Sequence, residues 1–146
     1  MKTILVPFDL SDAALAVCDE ACALAKRVGA KLHLIHVVEP YTLVSGFGPD
    51  GGYAGDMLTI LENLAETQLE TLLRRCAKRG VQARGEHRIG NAVQEILQKA
   101  RRAAYLVIGS HGHGAVYDLM VGSTTHGVLK RASCPVLVVA IRPARR

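Results

Sequence analysis

A chain of 146 residues, 49% apolar and 21% charged, is long enough to bury one core and too apolar to be intrinsically disordered. Its net charge of +5 collects at expected helix ends (Arg74, Arg75, Lys78, Arg79; Lys99, Arg101, Arg102) and in a basic tail over 142–146, the former being where a helix dipole favours cations. No aromatic side chains interleave with those cations for base stacking, which argues against a nucleic-acid partner.

In chain order, the first expected strand is Thr3–Phe8, ended by Pro7-Phe8-Asp9. Pro7 and Asp9 also interrupt any signal-peptide core at the amino terminus. Ser11 is placed to cap a helix over 12–28, with Gly29 as its stop. The stripe Ala14, Cys18, Ala21, Ala25, Val28 suits close packing of that helix on a sheet. Lys31–Val38 reads as the second strand, with His33 and His36 taken as core or rim histidines among Leu32, Leu34 and Ile35. Pro40 to Gly55 holds five glycines and two prolines, so residues 41–55 are expected to form a flexible loop.

Asp56 is placed to cap a long helix to Arg79, whose stripe is Leu58, Leu61, Ala65, Leu69, Leu72 and Cys76, with Gly80 ending it. Val81–Arg88 is a third strand, polar enough to be exposed or at a sheet edge. Gly90-Asn91 opens a helix carrying Val93, Ile96, Leu97 and Ala100, and Ala103–Ile108 is a fourth strand. A glycine-rich loop, a helix over Ser123–Arg131 and a fifth strand over Pro135–Ile141 complete the chain. That last apolar run is far too short to span a bilayer, which excludes a membrane helix. Four cysteines form no Cys-x-x-Cys pair. They read as small buried hydrophobes in a reducing, cytoplasmic compartment. No internal repeat or domain boundary appears, and residues 1–146 read as a single domain. Alternating strands and helices give a parallel sheet with helices on both faces, joined by right-handed crossovers.

The chemistry concentrates after the fourth strand, in Gly109-Ser110-His111-Gly112-His113-Gly114 and then Gly122-Ser123-Thr124-Thr125. Glycines allow a ligand to approach the backbone closely. The start of the following helix offers N–H groups that no preceding turn can use, together with the positive end of its dipole. Two such segments flanking one loop suit a polyphosphate. The pattern is not a Walker A loop, because Ala115 and Val116 stand where Lys and Ser/Thr belong. It is not a dinucleotide fingerprint either, since Tyr117 follows where a third glycine is required. For His111 and His113 the loop supplies only Asp118 as a further metal ligand, so no protein metal site is expected.

The spacing Gly109-x2-Gly112-x9-Gly122-Ser123 resembles the nucleotide-binding signature of the universal stress protein family, in its ATP-binding branch. Met1–Asp9, His33–Val38 and Cys134–Val139 resemble that family's first, second and last strands. The resemblance implies an α/β fold: one open five-stranded parallel sheet in the order 3-2-1-4-5, Rossmann-like and related to the adenine nucleotide alpha hydrolases. In that order Asp9 and Gly109 end the two central strands, where a doubly wound sheet binds its ligand.

The resemblance also implies that Pro7, Phe8 and Asp9 line the adenosine side, with Asp9 accepting from ribose hydroxyls. By its own chemistry Asp9 is equally a turn or cap residue. The backbone of Val37 would recognise adenine, although the residue in itself is only a strand hydrophobe. Ile108, Gly109, Ser110, His111, Gly112, His113, Gly122, Ser123 and Thr124 would hold the ribose and phosphates, with Mg²⁺ or Mn²⁺ arriving on the phosphates of ATP. Strand 134–141, at the sheet edge in this order, exposes Val136-Leu137-Val138-Val139 for pairing with a second copy, and the resemblance also implies a homodimer there. A regulatory module in turn implies an unidentified protein partner. The loop carries no Lys or Arg for a γ-phosphate, which favours a regulatory or stress-response module over an enzyme. Two alternatives remain: a slow ATPase or phosphotransferase using Asp9 and His111, and a nucleotide-free interaction module whose crevice is blocked by Tyr41, Phe47 or Tyr53.

Overall fold

The computed structural model describes residues 1–40, 52–110 and 121–142. Most of the expected loop over 41–55, the glycine loop from His111 to Met120, and all of the basic tail but Arg142 lie outside them. The strands are β1 (Lys2–Pro7), β2 (Ala30–Val38), β3 (Ala83–Ile89), β4 (Tyr105–Gly109) and β5 (Val136–Val139). The helices are α1 (Ala13–Val28), α2 (Gly52–Lys78), α3 (Ala92–Ala100) and α4 (Ser123–Arg131).

All strand pairs are parallel, in the order β3-β2-β1-β4-β5. The register runs from Lys2↔Ala30 to Pro7↔Ile35 between β1 and β2, and from Leu106↔Val136 to Gly109↔Val139 between β4 and β5. The central strands are apolar on both faces because both faces are covered. Ile4 and Val6 join Leu32, Leu34 and Val107 in a core under α1 and α2. Leu5, one residue out of phase, joins Ile35, Leu106 and Ile108 in a second core with Ile96 of α3 and Val128 of α4. Each of these side chains, sealed from water, contributes about 1.5–3 kcal/mol. β3 is an edge strand, as its polar sequence implied.

Helix ends follow local chemistry with two exceptions. Gly29 caps α1 in the left-handed conformation (φ 67°), its N–H donating to the carbonyl of Ala25. Asn91 caps α3, its side chain accepting from the N–H of Gln94. Ser11, expected to cap α1, does not; the N-cap is Asp12, with no side-chain capping bond. The N–H and hydroxyl of Ser11 both go to the carboxylate of Asp9 instead, a tight local turn that competes with capping. α2 starts at Gly52, about one turn before the expected Asp56. Gly52 and Gly55 weaken helix propensity without forbidding helical backbone. The hydroxyl of Thr59 then donates to the carbonyl of Gly55 at 3.1 Å, inside that added turn.

α1 and α2 are held together by Asp19, which receives Arg75 through two bonds of 2.6 and 2.8 Å and Arg79 at 2.9 Å. α2 lies so close to β3 that a Cβ on Gly85 would stand 2.2 Å from Cδ1 of Leu69. Among the described residues, no helix is long and apolar enough to cross a membrane.

Candidate functional site

Strand order reverses at the sheet centre: β1 has β2 on one side and β4 on the other. Connections leave in opposite directions there, so the carboxyl ends of β1 and β4 open a crevice. Pro7, Phe8 and Asp9 line it from β1, Ile108 and Gly109 from β4. Ala13, Ala14 and Val17 of α1 close one wall, and Thr125 of α4 another. The cavity these residues enclose is about 100 Å³.

Each wall is fixed by its own bonds. The N–H of Phe8 donates to the carbonyl of Ile35 at 2.9 Å, prolonging the β1–β2 pairing past Pro7. Asp9 is oriented by the N–H of Ser11 at 3.0 Å and by its hydroxyl. On the other side, the N–H of Ser110 donates to the carbonyl of Val139 at 2.8 Å, and its hydroxyl accepts from the N–H of Ile141 at 3.0 Å. The hydroxyl of Ser110 therefore binds the end of β5 to the end of β4.

The start of α4 is tied to the same point. Gly122 donates its N–H to the carbonyl of Ser110 at 2.8 Å, and the buried Thr125 donates its hydroxyl to the carbonyl of Gly109 at 2.7 Å. The carbonyl of Gly122 accepts from His126 at 2.8 Å, so the helical ladder begins there. The N–H groups of Ser123 and Thr124, in the first turn, have no intrahelical acceptor by construction.

Behind Phe8 lies His36, with ring centroids 5.4 Å apart. Its Nδ1 is buried with no hydrogen-bond partner among the described residues. Burial holds His36 below the ordinary histidine pKa, against the opposing pull of the Asp9 carboxylate and with a smaller push from His87. The ring is thus kept neutral against Phe8. His33, one strand face over, donates to Glu86 at 2.9 Å and is also lowered, first by burial and then by Arg84.

Of the residues singled out from sequence, Pro7, Phe8, Asp9, Ile108 and Gly109 are brought together. Gly122, Ser123 and Thr124 stand at the anchored start of α4, with Ser110 beside them. Val37 does not line the cavity; it sits on β2 in register with Arg88 and packs against the core under α3 and α4. His111, Gly112 and His113 lie outside the described residues. Thr125, Ala13, Ala14 and Val17 were not singled out as lining residues. Thr125 was detectable: it precedes the core residue Val128 by three positions, which puts both on one helix face.

A larger hollow of about 610 Å³ opens toward the other end of β1, bordered by Arg84, Arg88, Lys99, Arg101 and Arg102. Two of its cations are already engaged, Lys99 with Glu86 at 2.8 Å and Arg88 with Glu95 at 2.6 Å, and His33 also meets Glu86. It lacks the glycine-flanked helix start that the crevice has, and it lies away from the carboxyl ends of β1 and β4.

Residues 1–140 match the model of the universal stress protein family. The chain belongs to that family. A Thermus aquaticus universal stress protein, from the 3′ region of a QAH/OAS sulfhydrylase gene, is 31% identical over 153 residues, spanning 94% of this chain and 98% of its own. Among solved structures, the universal stress protein UspA from Lactobacillus plantarum superposes with a TM-score of 0.83 at 27% identity, covering 94% of this chain and 97% of that one. The universal stress protein from Archaeoglobus fulgidus in complex with dAMP has a TM-score of 0.69 at 22% identity, over 94% and 97% of the two chains. That family's sheet order is the one found here, with β1 and β4 adjacent at the centre.

Proposed function

We propose that this universal stress protein is a regulatory module that binds an adenine nucleotide, ATP in the first instance, over the carboxyl ends of β1 and β4. The observation that carries the reading is the double tie of α4 to β4, Gly122 to Ser110 and Thr125 to Gly109. It holds the donor-bearing first turn of a helix beside the crevice, where main-chain N–H groups and the helix dipole favour an anion. The dAMP complex of the Archaeoglobus relative supports adenine nucleotide as the ligand class.

In this reading Pro7, Phe8, Asp9, Ile108 and Gly109 take the nucleoside, with Asp9 accepting from ribose and the backbone of Val37 meeting the base. Gly122, Ser123 and Thr124 take the phosphates, joined by Ser110, His111, Gly112 and His113. Mg²⁺ or Mn²⁺ accompanies the phosphates rather than a set of protein ligands. The described residues enclose only about 100 Å³, well under the roughly 300–1,000 Å³ of a small-molecule pocket. In this reading they frame only part of the site, and the rest falls to residues 111–113 outside those described. The module works in the cytoplasm through a protein partner that senses the loaded state.

β5 ends the sheet and exposes Leu137 at 42%, which suits pairing with a second copy through residues 134–141. Native mass spectrometry of freshly purified protein tests both parts together. The expected spectrum shows a dimer carrying nucleotide, with the nucleotide lost in Gly122→Val and the dimer lost in Leu137→Arg. Absence of binding at millimolar ATP refutes the nucleotide reading, and a monomer at micromolar concentration refutes the dimer.

A further inference from the structure

Cys18 and Cys22 stand one turn apart on α1, and Cys76 reaches them from α2. The sulfur of Cys76 lies 3.6 Å from that of Cys18 and 3.7 Å from that of Cys22, and all three lie within 4.8 Å of one another. None of the three residues is more than 1% exposed. Packing alone would be served by alanine, as at Ala21 and Ala25 on the same helix. Convergence of three thiols on one point is a ligand set. Among the described residues no fourth histidine, cysteine or carboxylate joins them.

Geometry and charge together select the ligand. With a bond of about 2.3 Å from a central atom to sulfur, sulfurs 3.6 and 3.7 Å apart subtend roughly 105°. Both angles fall short of the roughly 120° of a flat, symmetric three-coordinate centre. A divalent ion held by three thiolates leaves one net negative charge, and a monovalent ion leaves two, in a site sealed from water. The nearby guanidiniums of Arg75 and Arg79 are already committed to Asp19. A trivalent centre with a lone pair makes a neutral three-coordinate pyramid and needs no fourth ligand.

We propose that Cys18, Cys22 and Cys76 form a binding site for a trivalent thiophilic metalloid, of which arsenite is the probe. Arsenous acid and three thiols exchange without redox change. Three arsenic–oxygen bonds break, three arsenic–sulfur bonds form, and each thiol proton leaves with a hydroxyl as water. Entry requires α1 and α2 to part, so capture is slow, and the product then staples two helices whose cysteines lie 54 and 58 residues apart. Val17, next to Cys18, lines the nucleotide crevice, but the metalloid site stands independently of that reading.

The experiment uses the full, reduced chain incubated with arsenite, freed of excess, and examined by native mass spectrometry and by brief alkylation on unfolding. The expected result is one arsenic replacing three hydrogens, alkylation falling from four cysteines to Cys134 alone, and a higher melting temperature. Cys134→Ser keeps the adduct, whereas Cys22→Ala and Cys18→Ala, each verified as folded by circular dichroism, lose it. Should both alanine variants fail to fold, the count on the parent chain decides alone. The proposal is overturned if all four cysteines of the parent remain open to alkylation. It is also overturned if a folded alanine variant holds arsenic as well as the parent, or if zinc or monovalent copper occupies the thiols and arsenite does not displace it.

Discussion

Replacing Thr125 by valine removes one hydroxyl and keeps the shape. That hydroxyl, on a residue 4% exposed, donates at 2.7 Å to the carbonyl of Gly109, sixteen positions earlier in the chain. The methyl that replaces it is nearly isosteric, so no cavity follows and the lost bond dominates. Withdrawing a partner from a buried carbonyl costs about 1–3 kcal/mol, and we take about 1.5. An unfolding entropy of about 2.1 cal/mol/K per residue gives roughly 0.31 kcal/mol/K for a chain of 146 residues. The melting temperature should therefore fall by about 5 °C. Calorimetry of the nucleotide-free protein reads the shift, and Thr125→Ser, which retains the donor, separates the bond from the packing of the methyl. ATP affinity should fall with it, since the same bond fixes the start of α4 against β4. A Thr125→Val melting temperature within about 1 °C of the parent would refute the argument, because even the smallest cost in that range moves it by about 3 °C.

His36 is buried and held below its ordinary pKa, so the unfolded chain takes up its proton first as acid is added. Stability is full above about pH 6.5 and is lost as pH falls through the lower folded value. His36→Leu should shrink that slope in urea titrations across pH 5–7, leaving His33 as the remaining contributor; an unchanged slope would show that the ring is not buried neutral. Asp19 is lowered first by its hydrogen bonds from Arg75, so its contribution is present above about pH 4 and disappears as acid protonates it. Asp19→Asn should make the acid limb shallower and less salt-sensitive, leaving Glu86 as a remaining contributor, and an acid limb identical to the parent's would count against the clasp. In Gly85→Ala the new Cβ falls 2.2 Å from Cδ1 of Leu69, itself 5% exposed. Overpacking there should cost about 1–3 kcal/mol by chemical denaturation, and a neutral result would mean that α2 is free to lift from β3.

The amino-acid sequence by itself determined the alternation of strands and helices, the bounds of Ser123–Arg131, the helix start at Gly90-Asn91 and the glycine stop at Gly29. These are short-range signals, carried by neighbours within a turn or two. The alternation of strands and helices established a parallel sheet covered on both faces, but only the likeness to a family supplied the order in which strands lie, because alternation says nothing about partners. The tertiary structure decided the rest. Ser11 was a plausible cap until Asp9 took its hydroxyl and its N–H. Val37 shares the strand pattern of its neighbours, and only the packing of α3 and α4 decides that its side chain joins their core. Thr125 looked like one of three equivalent hydroxyls, and helix rotation alone buried it on the carbonyl of Gly109. Cys18 and Cys22 advertised a shared helix face, but nothing near them in sequence announced Cys76, which arrives 54 residues later. Local propensity is fixed by adjacent residues, whereas which side chains meet across a sheet or between helices depends on how distant segments pack together.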